Sequence, residues 1–270
     1  MEALLSSGGP ESDVLVGPLQ YGLDKQGSYI QQRRSSTTFS NVNSASPAGV
    51  KTITINVGSS SEWLDPSSVL VSMLITNTDG TNALFPAAQE ATILLDRLQI
   101  RLGSTLIEDI QEFGKLTHIM EKLSMTPQKK LDCAQIGFGT VTPATNPNMF
   151  LADQHDARTI PANGSKRIYM KLNLSGLFSQ HRHVPLFALG GQGLQIQLSL
   201  APAAQSCILS HSGTTYSQSY NLTDIRLLAD MISLSGELQE SCNAALLNGT
   251  SLKMPIKTWE CLVNYLPSDS

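Results

Sequence analysis

Long hydrophobic runs are missing from this 270-residue sequence. No window approaches the roughly 18 apolar residues a membrane span needs. The opening stretch MEALLSSGGPESD has no basic region and no apolar core, so no secretion signal is expected and folding in a reducing compartment follows. Charge is scarce too, at 15% with a formal net charge of −4, which excludes a chain that coats nucleic acid by neutralising phosphates. The four cysteines, Cys133, Cys207, Cys242 and Cys261, form no C-x-x-C pair. Zinc knuckles and redox dithiols are thereby excluded, and reduced, mostly buried thiols are expected. No G-x-S-x-G elbow occurs, and LGGQGLQ at 189–195 lacks the third glycine of a dinucleotide fingerprint and leads into a strand pattern. The expectation is a protein without cofactor or catalytic residues, not an enzyme.

What the sequence does contain is period-two alternation. VKTITINV sets Ile53, Ile55 and Val57 on one face, and RLQIRL sets Leu98, Ile100 and Leu102 against Arg97, Gln99 and Arg101. KRIYMKLNL and LQIQLSL do the same with Ile168, Met170, Leu172 and Leu174, and with Leu194, Ile196, Leu198 and Leu200. SSVLVSMLITN is apolar on both faces at its middle, as a more central strand would be. One apolar and one polar face per strand is the habit of antiparallel sheets. The fold class is all-β, a sandwich or barrel of many strands.

Two helices interrupt the strands. DIQEFGKLTHIMEKL spaces Phe113, Leu116, Met120 and Leu123 by three and four, predicting an amphipathic helix with those residues inward. SGELQESCNAALLNG does so with Leu238, Cys242, Ala245 and Leu246 and stops at Asn248-Gly249. Ahead of the first helix, Gly103-Ser104 is expected to be a two-residue hairpin turn, and Asp109 with Glu112 has the form of a capping box. Trp63, in EWLDPSS, is expected to anchor a loop beside the turn-forming Asp65-Pro66. Arg33 and Arg34 are too isolated for a nucleic-acid footprint and suit an inter-strand or inter-subunit role. Arg97 and Arg101 share a polar strand face and are possible interface residues.

His181 and His183 are weak metal candidates, since an H-x-H pair on a strand could share an ion as in the cupins. No glutamate follows between Val184 and Leu189, and Pro185 argues against a central strand, so solvated loop histidines are the expectation.

The ordered set YIQQRRSSTTFS, EWLDPSS, LLDRLQIRLGSTLIEDIQEFGKLTHIMEKL and NLTDIRLLADMISLSGELQES resembles the major capsid proteins of double jelly-roll DNA viruses, with the polinton-like or related aquatic-virus branch nearest. The resemblance covers most of residues 29 to 261. It implies two jelly rolls side by side, a homotrimeric pseudo-hexagonal capsomer, an icosahedral capsid lattice, minor capsid or penton proteins as partners, and a place in the virion. On that scheme residues 1–28 are a flexible arm, 29–203 the first roll, and 204–270 a linker and the start of a truncated second roll opening near Tyr216 with unpaired edges. A jelly-roll carbohydrate-binding module, with Tyr169, Gln195 and Gln197 on its sheet faces, is the alternative, and a cupin-like metal protein a further one.

Overall fold

The computed structural model describes residues 30–39, 44–58, 61–124, 136–138, 158–189, 193–211, 213–249 and 254–261. The expected arm over 1–28 and Cys133 lie outside the described residues. The chain divides into two compact units, Arg33–Ser233 with Leu252–Ser270, and Met1–Gln32 with Leu234–Ser251.

Eight long strands are present among the described residues. They are β1 (Ile30–Phe39), β2 (Thr52–Val57), β3 (Trp63–Asn77), β4 (Leu95–Leu102), β5 (Thr105–Gln111), β6 (Ser165–Lys171), β7 (Leu194–Leu200) and β8 (Tyr220–Leu234). One sheet runs β1-β8-β3-β6 and the other β2-β7-β4-β5. Neighbours are thus mostly distant in sequence, and two four-stranded sheets interleaved in this order make a jelly roll, the double-sheet architecture of two Greek keys.

Alternation decides which side of each strand is buried. Ile55, Ile196 and Ile100 stand in one cross-strand row and are fully buried. Facing them, Met170, Val71 and Leu227 form a buried row across β6, β3 and β8. The inner faces of both sheets therefore meet as one aliphatic layer, which is the driving force for the fold.

The strand after Tyr216 does not open a second roll. β8 lies between β1 and β3 as an interior strand of the first sheet, so it has no free edge there. Its apolar side, Leu222, Ile225, Leu227, Ala229 and Met231, fills the same core as β3. The first roll accordingly needs residues well beyond 203 to close.

The hairpin turn falls where expected. Leu102 pairs with Thr105, and Gly103 takes φ 59. A left-handed first turn residue is what glycine supplies at least cost.

Helix α1 (Phe113–Ser124) is present but rotated from the expected face. Phe113, Gly114, Thr117 and Glu121 are buried, whereas Leu123 is 78% exposed and Ile119 53%. Leu116 and Met120 are only partly buried. Gly114 fixes this orientation. A Cβ there would lie 2.6 Å from the Leu95 carbonyl oxygen and closer still to that of Thr92, so the helix backbone rests directly on the 3-10 turn Ala91–Leu94. In the other unit, helix α2 (Gly236–Leu247) has Glu237 in its first turn and ends before Gly249 at φ 82. Leu238, Cys242, Ala245 and Leu246 form its half-buried side.

Glycine to alanine inside a helix ordinarily stabilises by about 1 kcal/mol. Gly114→Ala is expected to do the reverse, destabilising by about 2 kcal/mol because backbone must move to admit the methyl group. Urea denaturation of the two proteins measures the sign directly.

Candidate functional site: charge pairs and a buried carboxylate

β5 carries two adjacent acids, and the pleat sends them to opposite sides. Glu108 points inward at a position that would otherwise hold an aliphatic residue, opposite Ile100, and is 1% exposed. Its oxygens are taken up by the loop after β6. Oε1 accepts from the backbone amides of Gly176 (2.7 Å) and Leu177 (3.2 Å), and Oε2 accepts from Ser175 Oγ. Burial raises the Glu108 carboxyl above its ordinary range, and the three donors pull it back. Gly176 has no room for a side chain, because a Cβ would run into the Lys257 carbonyl. The carboxylate therefore fastens β5 to the 175–178 loop, and Gly176 of that loop lies against the Lys257 backbone.

Asp109 faces out. It binds Arg97 of β4 through two contacts, Nε to Oδ1 at 2.6 Å and Nη2 to Oδ2 at 2.5 Å. That bidentate bond holds its carboxyl below the ordinary range. Asp109 is thus a strand residue and not a helix cap. Glu112, the other half of the expected capping box, takes φ 51 at the junction between β5 and α1 and pairs with Lys115 at 2.7 Å. A left-handed residue placed there ends the strand and starts the helix directly at Phe113, leaving no turn for a box. Arg101 shares the outer face, but its Nε is buried without a hydrogen-bond partner among the described residues.

Arg33 and Arg34 bridge strands. Arg33 Nη2 binds Asp65 Oδ2 at 2.5 Å and its Nε binds Asp230 Oδ2 at 3.2 Å, joining β1 to β3 and β8. Arg34 Nε donates to Glu62 Oε1 at 2.8 Å, and Nη2 donates to Oε2 of the same carboxylate. A third arginine group sits on β6 and β8, where Asp224 accepts from Arg167 and from Arg226 (2.6 Å). Asp224 occupies a bulge, since two β8 residues there oppose one on β3, and its φ of 47 is rare outside glycine. Both arginines hold its carboxyl below the ordinary range, Arg167 foremost. This group was missed in the sequence, because nothing local distinguishes Asp224 from any polar strand residue.

Trp63 does not anchor a loop; it opens β3, half-buried and edge-on to Phe187 at 5.5 Å. The expected turn beside it survives inside the strand. Asp65 Oδ1 accepts from the Ser67 amide and hydroxyl, and the β3–β8 register breaks between Leu228 and Asp230. His181 is exposed and His183 half-buried, in the connection leading to a two-residue strand Val184–Pro185 that pairs with the start of β3. Among the described residues no group of three His, Cys, Asp or Glu side chains could hold a metal ion. Cys207 is buried, with its thiol pushed up to about 11 by burial, whereas Cys242 and Cys261 are only partly covered.

The residues suggested for carbohydrate binding do not meet. Tyr169 is on the outer side of β6 in one sheet, and Gln195 and Gln197 are on β7 in the other. The three cannot line one face.

Strand order and closure by β8 define a jelly-roll protein with an aliphatic core and ion pairs joining strands on its outer faces. Residues 31–265 match the family described as major capsid protein N-terminus, and the chain belongs to that family. Its members are structural proteins of viral shells and not enzymes. No curated protein matches. Among solved structures, VP54 of PBCV-1, fitted into a reconstruction of the virophage Sputnik, is similar with a TM-score of 0.51 and 11% identity over 79% of this chain and 45% of that one. A PBCV-1 capsid quasi-atomic model gives 0.50, 12%, 79% and 45%. The Faustovirus major capsid protein gives 0.47, 10%, 80% and 56%. The chain thus spans about half the length of these relatives.

Removing the Glu108 carboxylate strands three buried donors. Glu108→Ala is expected to cost about 3 kcal/mol in chemical denaturation. Glu108→Gln should cost clearly less, because it keeps an acceptor and sheds the desolvated charge.

Proposed function

We propose that this protein is a shell subunit of a viral capsid, acting by self-assembly into homotrimeric, pseudo-hexagonal capsomers that tile an icosahedral lattice in the virion. The observation that carries this reading is the closed roll with strand orders β1-β8-β3-β6 and β2-β7-β4-β5, matched to the capsid family over residues 31–265. The roll described here supplies one half of a double roll. Its length relative to VP54 suits that assignment. Minor capsid or penton proteins are the natural further partners of such a lattice.

Several features favour a building block. The arginine pairs join separate strands on the outer faces. Exposed apolar side chains, Val50, Leu106, Ile119 and Leu123 among them, offer surface that association would cover. Trimers need closed, rotationally symmetric interfaces, and such contacts draw on exposed apolar area of this kind.

Native mass spectrometry and electron microscopy of the full-length product test this. Trimers with a pseudo-hexagonal outline are expected, and a strict monomer at every concentration would overturn the proposal.

A further inference from the structure

Helix α1 presents Phe113, Thr117 and Glu121 toward the sandwich, one turn apart. The third of these is an acid, 8% exposed. Its Oε2 is buried with no hydrogen-bond partner among the described residues, and the same holds for Thr92 Oγ1. Both residues border a cavity of about 20 Å³, with Glu90, Tyr169, Lys171 and Asn173 on its other sides. Such a space holds at most about one water molecule.

The groups facing Glu121 leave its charge uncompensated. Glu90, just ahead of the 3-10 turn, is a second carboxylate and adds repulsion. His118, one turn back on α1, gives its Nδ1 to Glu90 Oε2 at 3.1 Å. Arg158 acts on Glu90 and stacks over Phe85 at 4.8 Å. On β6, Lys166 is engaged by the Phe138 carbonyl, and the exposed Lys171 borders the cavity beside Tyr169. Asp96 of β4 faces Glu112 and Lys115 at the far end of the helix. No set of three ligands for a metal ion exists among the described residues, so the ligand that suits this site is a proton.

We propose that Glu121 is a proton-operated latch: in its neutral form it seats the inner side of α1 against the sandwich, and in its ionised form it loosens that helix. Burial, with Glu90 adding to it, pushes the carboxyl up to about 7 from 4.5. The unfolded chain therefore releases this proton first as pH rises. The stability it contributes is full below the unfolded value and is lost as pH rises through about 7. The helix carrying the latch also bears the exposed Ile119 and Leu123, so its seating governs apolar surface open to other molecules.

Hydrogen exchange of the full-length protein at about pH 5.5 and about pH 8, corrected for intrinsic rates, tests the latch. Protection across residues 113–124 is expected to drop by about tenfold or more at the higher pH, the decline levelling off above about pH 7. In Glu121→Gln the drop should vanish, and in Glu90→Gln it should level off at lower pH, because neutralising Glu90 removes the repulsion that helps raise the Glu121 carboxyl; an unchanged or higher pH there overturns the part assigned to Glu90. Equal protection of the wild-type helix at both pH values, or an undiminished drop in Glu121→Gln, would overturn the latch. Should Glu121→Gln fail to fold, the wild-type profile decides: a change confined to α1 supports the proposal, and a uniform change across all strands contradicts it. The buried Glu108 does not confuse this reading, because its loop at 175–178 is monitored separately.

Discussion

Everything in this molecule depends on two sheets presenting aliphatic rows to each other. The row Ile55, Ile196 and Ile100 in one sheet and the row Met170, Val71 and Leu227 in the other are contributed by strands scattered from residue 52 to residue 234. Each of those side chains is worth roughly 1.5–3 kcal/mol when removed from water. No local preference binds these strands together. Burial does, and the polar residues on the outer faces are free to serve other ends because the inner faces already hold the sandwich.

Charges then refine what burial builds. The pairs Arg97–Asp109, Arg33–Asp65–Asp230 and Arg34–Glu62 are partly exposed, and pairs of that kind contribute about 0–1 kcal/mol each. Their more important effect is on register. A guanidinium that must meet a carboxylate two residues off its direct partner, as Arg97 meets Asp109, disfavours a slipped alignment of β4 and β5. Glu108 does the same work from inside, by requiring the 175–178 loop at one place only.

Much of this was legible in the sequence. Alternation identified β2, β4, β6 and β7 and the sides they bury, and the Gly103 turn followed from residue chemistry alone. The failures have common causes. Asp109 and Glu112 have the spacing of a capping box, but the alternation of β5 carries on to Gln111, and a pairing with Arg97 across the hairpin depends on a register that spacing does not reveal. The inward side of α1 was misplaced because Gly114, a residue without a side chain, sets it through backbone contact. β8 looked like a fresh start because it comes late in the chain, and position in sequence carries no information about which older strands it joins. Acids at inward positions, Glu108 and Glu121, look in sequence like any solvated carboxylate.

The interior position of β8 has a kinetic side as well. Until residue 234 leaves the ribosome, β1 and β3 lack the strand that belongs between them, and both keep open backbone edges. At roughly 5–20 residues per second, synthesis from the end of β3 to the end of β8 takes on the order of ten seconds or more. The second sheet is complete only once β7 ends at residue 200, and from then to residue 234 the nascent chain holds it beside an unfinished first one. A cell making many copies at once would be exposing matching edges on neighbouring nascent chains, so the rate at which the last strand arrives sets how much of the product matures as separate subunits and how much is lost to mispairing.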